Sequence, residues 1–320
     1  MHIPDGFLDT KTAIATSVFS FTAISVALRR LKNNLEPSQI PLLGLSASFI
    51  FVAQMLNFPV IGGTSGHLIG AVLAAVLLGP DAAIICMTAV LLIQTFIFAD
   101  GGVTALGANI LNMGVIAVLG GYSVYSIIFK FIRSPRGTII ASIFAGWFSI
   151  VIASIFCAGE LVWSGTSDWS VIFPSMTNIH ILIGIGEGII TGLVISAIYK
   201  TKPVVLETSL LKNYSGSKKS IITYGLIFGI SLLLLVTPFV SEWPDGLESV
   251  ASALGFDVQA KQGDINIKLL SDYSVPGLNN AVVATIIAGL LGAFFVFLLA
   301  LVVGKILIQK TKNQPSSLKT

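Results

Sequence analysis

The chain predicts an all-α polytopic membrane protein: a seven-helix bundle followed by a two-helix unit, nine spanning helices in all, with the amino terminus outside. Three observations carry that prediction. Hydrophobic residues make up 54% of the chain and charged residues only 10%, against roughly a quarter charged in a soluble domain. Mean hydropathy is +0.92. The apolar residues gather into runs near the ~20 residues that a bilayer core requires. Soluble enzyme classes are excluded. The net charge of +3 is spread along the chain rather than clustered, so no nucleic-acid partner is implied.

Apolar spans are predicted at 12–28, 40–57, 66–79, 82–98, 103–129, 138–158, 179–199, 221–240 and 280–304. The third is short and follows Gly62-Gly63-Thr64-Ser65-Gly66, which reads as a partial helix entered from a loop. The fifth holds Gly107, Asn109, Asn112 and Gly114 and reads as interrupted. Orientation follows from Lys and Arg. With the amino terminus outside, the inner segments hold 15 of the 18 basic residues, leaving only Lys11, Lys261 and Lys268 outside. Residues 201–220 are polar and basic and read as a cytoplasmic linker between a unit at 1–200 and a two-helix unit at 221–320. The latter encloses an acidic outside loop at about 241–278. Cys86 and Cys157 lie in apolar runs near opposite membrane faces, which argues for packing roles rather than a disulfide.

The chemistry begins at residue 1. A free amine followed by His2 is a chelating arm: the Met1 α-amine, the His2 main-chain nitrogen and His2 Nδ1 close fused rings around one ion. Three nitrogens in one plane suit a tetragonal Ni(II)- or Cu(II)-type ion. His is large, so the initiator Met is expected to stay, and nothing at the start resembles a signal peptide. His67, at the outer end of the third span, is on the same side and offers a fourth nitrogen. The chain has only three His, and two of them are ready for chelation on one membrane face.

The third is His180, also at an outer helix end, with Glu187 two turns deeper on the same face. A carboxylate inside a span is costly and marks a function or a polar network. His180 and Glu187 read equally well as groups that orient a metal ligand or as a polar cluster between helices, and neither as a direct ligand. Ser65, Asn109 and Asn112 join them as candidates for the surrounding shell. Asp100-Gly101-Gly102 reads first as turn chemistry. Gly184, Gly188 and Gly192 form a packing ridge, and Ala23 with Ala27 a weaker one. Trp147, Trp163, Trp169 and Trp243 read as interface anchors. No nucleotide-binding or HExxH pattern is present, so any ATPase must be another chain.

Four motifs now stand in order: MHIPDGFL at the start, GTSGHL at 63–68, DGGVTALGANILNMG at 100–114 and IHILIGIGEGIITG at 179–192. Together they resemble the NikM/CbiM family, the substrate-binding (S) components of energy-coupling factor (ECF) transporters for nickel and cobalt. The resemblance covers residues 1 to about 200. It implies a seven-helix S component with its amino terminus tucked into the bundle. It also implies metal binding through Met1, His2 and His67, the positions that chelation chemistry reaches by itself. Pro244-Asp245-Gly246-Leu247-Glu248 and Val275-Pro276-Gly277 resemble the small NikN/CbiN-type PDGLE subunit, here fused to the first unit.

The resemblance implies an ATP-driven importer in a bacterial or archaeal cytoplasmic membrane, with ECF ATPase subunits and a transmembrane coupling (T) subunit as partners. Ni(II) is the expected transported substrate, favoured over Co(II) for cobalamin synthesis because such fusions look like the nickel branch. No organic cofactor is expected. A stand-alone ion-coupled transporter would need a second polar pathway, and a membrane-embedded hydrolase an open metal position for water. The first unit is expected to carry its whole ligand set, and the tail to act in loading.

Overall fold

A computed structural model describes residues 1–37, 39–201, 206, 218–261 and 269–312. Most of the expected linker and part of the outside loop lie beyond these described residues. Helices run in the order α1 (Thr10–Asn34), α2 (Ile40–Met55), α3 (Ala71–Leu78), α4 (Pro80–Ile93), α5 (Leu106–Asn109), α6 (Ala117–Phe131), α7 (Pro135–Trp163), α8 (Trp169–Thr201), α9 (Lys218–Val236), α10 (Gly246–Leu254) and α11 (Ala281–Lys312). π-Helical turns extend α4 over Gln94–Phe98 and join α5 to α6 over Ile110–Ile116. The protein is a multi-pass membrane protein: among the described residues six helices are long and apolar enough to cross a bilayer, and the apolar stretches Ile40–Met55 and Gly225–Phe239 are shorter.

The third span departs from a plain crossing helix. Residues Phe58–Val60 (β1) and Thr64–Gly66 (β2) pair antiparallel, with Phe58 opposite Gly66. Gly62 and Gly63 turn the hairpin at φ +102° and +77°, values that a residue with a Cβ adopts only under strain. The chain then descends without regular structure to Gly70 and enters α3, whose eight residues cover only about 12 Å of a ~30 Å core. It still reaches the depth of the carboxyl end of α1, where Asp81 pairs with Arg30 at 3.6 Å.

Non-helical backbone at such depth is tolerated only where protein satisfies its polar groups. Glu187 of α8 accepts the N–H of Ile69 at 2.7 Å and of Gly70 at 3.0 Å. Gln54 of α2 donates to the Ile69 carbonyl at 2.7 Å. The buried Glu187 carboxylate thus closes the amino-terminal end of α3.

α7 and α8 pack along most of their length. The ridge Gly184, Gly188 and Gly192 seats Trp147 and Ile143, whose atoms stand where Cβ atoms would otherwise be. Trp147 is therefore a packing residue that donates to the Ile181 carbonyl, unlike the more exposed Trp163, Trp169 and Trp243. Cys86 and Cys157 are free and buried.

The two-helix unit is not a separate body. α2 is apolar all round, as fits a helix buried on every side, and α11 and α9 pack on its outer face. Gly292 of α11 lies against the Phe51 ring, Gly225 of α9 against Leu45, and Ser48 donates to the Ala293 carbonyl at 2.8 Å.

Candidate metal centre

The amino-terminal arm, residues 1–9, threads into the bundle beside the hairpin. Asn109 holds it through both main-chain groups of one residue: Oδ1 accepts the Ile3 N–H at 2.8 Å and Nδ2 donates to the Ile3 carbonyl at 3.1 Å. The Gly102 N–H donates to that same carbonyl. A Cβ on Gly102 would stand 2.3 Å from the Asp5 nitrogen, so no larger residue fits there. The Asp5 carboxylate then accepts from the Val103 and Thr104 N–H groups and the Thr104 hydroxyl.

These contacts deliver the first two residues to His67. The Met1 amine lies 2.8 Å from His67 Nε2, and the His2 and His67 rings stand 5.2 Å apart between centroids. Met1, His2 and His67 are 5%, 9% and 6% exposed, so the cluster is buried. His67 Nδ1 lies 3.2 Å from the Leu68 carbonyl, which can only accept. Nδ1 therefore carries the hydrogen, and the Nε2 lone pair faces the amine. Burial pushes His67 well below its ordinary value, and the amine and His2 act in the same direction. Burial also lowers His2, against partial opposition from Asp100. Both imidazoles are neutral at pH 7, the form that binds metal.

Four residues outside the expected ligand set complete the cluster. Asp245 accepts from the Met1 amine at 2.5 Å. Burial by itself would raise its carboxyl, but the amine and His67 hold it well below the usual carboxylate range. Asp245 also caps α10 in a reciprocal box with Glu248. On the far side, His2 lies 3.2 Å from both Gln94 Oε1 and Asp100 Oδ1. Gln94 and Asp100 in turn meet Tyr273 at 3.1 and 2.5 Å. Asp245 and Tyr273 belong to the fused tail, far from the arm in sequence. The only sequence signal for them was that the PDGLE loop shares a membrane face with Met1.

Of the residues expected around the ligands, Asn109 grips the arm and Glu187 braces the backbone just after His67. Ser65 binds the tail: its N–H and hydroxyl donate to the Pro244 and Trp243 carbonyls at 2.8 and 2.7 Å. His180 and Asn112 make no contact with the three nitrogens. His180 bonds the Met176 carbonyl at 2.7 Å, and Gly246 rests against its ring. Asn112 donates to Glu160 at 2.7 Å. Among the described residues no cluster of three or more His, Cys, Asp and Glu side chains could hold a metal. Any site here depends on main-chain nitrogen.

Residues 2–205 match the family model described as the cobalt uptake substrate-specific transmembrane region, CbiM. The chain belongs to the CbiM family. Residues 219–309 match the PDGLE domain, which makes this CbiM-family chain a two-part fusion. It is 38% identical over 301 residues to a putative fused nickel transport protein NikMN of Archaeoglobus fulgidus, covering 93% of this chain and 96% of that one. A probable fused nickel transport protein LarMN of Lactiplantibacillus plantarum is 29% identical over 296 residues, covering 87% and 90%. A crystal structure of a transition metal transporter shares 32% identity with a TM-score of 0.59, over 65% of this chain and 98% of that one.

Proposed function

We propose that this nickel/cobalt transport membrane protein of the CbiM family is the metal-capturing subunit of an ATP-driven ECF importer, and that it binds Ni(II) in a square plane of nitrogens. The donors are the Met1 amine, the His2 main-chain nitrogen, His2 Nδ1 and His67 Nε2. The observation that carries this reading is the 2.8 Å approach of the Met1 amine to the His67 Nε2 lone pair inside a buried cluster. Neighbouring donors at right angles, each about 2.0 Å from a divalent ion, are separated by roughly the same 2.8 Å. An ion replacing the shared hydrogen would need little movement of either donor.

Nickel is favoured over cobalt because the two fused relatives are named for nickel. The family description, cobalt uptake, keeps Co(II) as the second reading. The division into a metal-binding unit at 1–200, a linker at 201–220 and a PDGLE unit at 221–320 is supported by the two family matches. In this reading the amino terminus faces outside, and the chain works with ATPase and T subunits in a bacterial or archaeal cytoplasmic membrane. Hydrolysis is left to those partners.

The test is calorimetry on the full chain with a native or an acetylated amino terminus. Acetylation turns a donor amine into an amide. The native chain should bind one Ni(II) and the acetylated chain should lose high-affinity binding. Equal affinities would remove the amine from the site.

A further inference from the structure

The turn Ala99-Asp100-Gly101 leaves the π-helical end of α4 and lies on the amino-terminal arm. Ala99 has φ +57° and Gly101 φ +88°; the first is uncommon for a residue with a Cβ. A Cβ on Gly101 would stand 2.8 Å from Asn109 Nδ2 and 3.5 Å from the His2 Cβ. The Asp100 N–H donates to the Gln94 carbonyl at 3.1 Å. Turn chemistry accounts for this backbone but not for the Asp100 side chain. Its Oδ2 accepts the Tyr273 hydroxyl at 2.5 Å, and the Tyr273 ring is stacked on Phe98 at 4.9 Å. With one oxygen held, the other, Oδ1, faces His2 Nδ1 at 3.2 Å.

Two carboxylates touch the nitrogen cluster, and they differ. Asp245 is engaged at both oxygens: Oδ1 accepts the N–H groups of Leu247 and Glu248, and Oδ2 the Met1 amine. Its side chain is 13% exposed, against 24% for Asp100. The Met1 and His2 side chains are 3% and 6% exposed. Of these four groups, Asp100 is therefore the most open to water. An ion arriving from water carries oxygen ligands, which a carboxylate oxygen replaces in kind, whereas imidazole suits the bound Ni(II). An ion bonded at roughly 2.0–2.2 Å to an oxygen and a nitrogen at near right angles holds the two about 3 Å apart. The observed 3.2 Å between Oδ1 and Nδ1 meets that span.

We propose that Asp100 is the entry relay of the site: its Oδ1 takes a divalent ion from water and passes it to His2 Nδ1. The ion is never free between the two, because it can bond both at once. Tyr273, from the fused tail, is the positioning residue that keeps Oδ1 turned toward His2. The inference rests on the chelate reading above, in which His2 Nδ1 is a donor. It assigns to Asp100 a task in the rate of capture, apart from the four donors that hold the ion at rest.

The test is stopped-flow mixing of Ni(II) with the full chain bearing its native amino terminus, followed by the visible absorption of the bound ion. Release is timed by adding an excess of chelator. Asp100→Asn keeps the shape and an acceptor for Tyr273 but removes the charge. It should slow association by about 10-fold or more, in the range that charge supplies to capture rates. A relay serves both directions, so dissociation should slow as well and the Kd should change less than the association rate. Asp100→Glu keeps the charge and should take up Ni(II) faster than Asp100→Asn. Asp272→Asn removes an exposed charge beside Tyr273 and should leave association nearly unchanged. Unchanged association in Asp100→Asn with faster dissociation would make Asp100 a support for His2 and overturn the proposal. Equal slowing by Asp272→Asn would also overturn it, since net charge alone would then explain the rate. Ni(II) binding that persists in either case leaves the chelate reading standing. An unaltered chain that binds no Ni(II) removes that reading and the relay with it.

Discussion

At the scale of single residues, the candidate site gathers the Met1 amine and the His2 and His67 imidazoles into one buried cluster. The Leu68 carbonyl orients His67, and Gln94 and Asp100 hold the His2 ring. His67→Ala should abolish high-affinity Ni(II) binding while leaving the helices intact. His180→Ala, which removes the bond to the Met176 carbonyl and the seat of Gly246, should keep binding with a smaller loss; calorimetry on both variants checks the order. Acid gives a further expectation. His2 and His67 titrate below the unfolded value in the native chain, so the stability they contribute is present above roughly pH 6.5. It is lost as the pH falls through their native values. The protection of residues 1–9 in the metal-free protein, measured as hydrogen exchange relative to the intrinsic rate at each pH, should therefore fall below about pH 6. Protection that stays unchanged or rises on acidification would contradict the burial of neutral rings.

At the scale of elements, the irregular descent from β2 into α3 is what holds His67 at depth, and Glu187 is what makes that descent tolerable. Two buried N–H groups depend on this one carboxylate. Leaving a buried donor unpaired costs roughly 1–3 kcal/mol. Glu187→Ala should lower stability in detergent by about 2–5 kcal/mol and weaken metal binding with it. Glu187→Gln, which keeps one acceptor oxygen, should fall between. Thermal unfolding of the three proteins checks the order; an Ala variant as stable as the parent would show that water replaces the carboxylate.

The sequence made the helices legible, because apolar runs and the Lys/Arg asymmetry are local properties. The hairpin Phe58–Val60 with Thr64–Gly66 was not, since three-residue strands leave no periodicity to read. Met1, His2 and His67 were legible through chelation chemistry and the scarcity of His. Gln94, Asp245 and Tyr273 were not, because their partners lie 92, 244 and 173 residues away and only packing brings them together. Glu187 was marked by its cost inside a span, although its task, closing the end of α3, depends on where that helix starts.

At the scale of the whole molecule, the fused tail packs against the unit that carries the candidate site. α11 lies along α2 with Gly292 against Phe51, and the segment between α9 and α11 brings Asp245 to the amine and Tyr273 to Gln94 and Asp100. The donors proposed here all lie in the first unit, while the tail places Asp245 on the Met1 amine and Tyr273 on Gln94 and Asp100. Gly292→Leu should push α11 off Phe51 and weaken Ni(II) binding although the substitution touches no ligand. Cutting the chain at residue 205 should leave binding detectable but weaker, and uptake by the assembled transporter should fall sharply.

The central claim is that one ion lies between the first two residues and His67. Anomalous diffraction at the nickel absorption edge, from crystals of the loaded full chain with its native amine, tests it most directly. The account predicts a single strong peak within bonding distance of the Met1 nitrogen, the His2 main-chain nitrogen, His2 Nδ1 and His67 Nε2. A peak at another cluster, such as Glu160 with Asn112, or one bound through His2 Nε2, would contradict it.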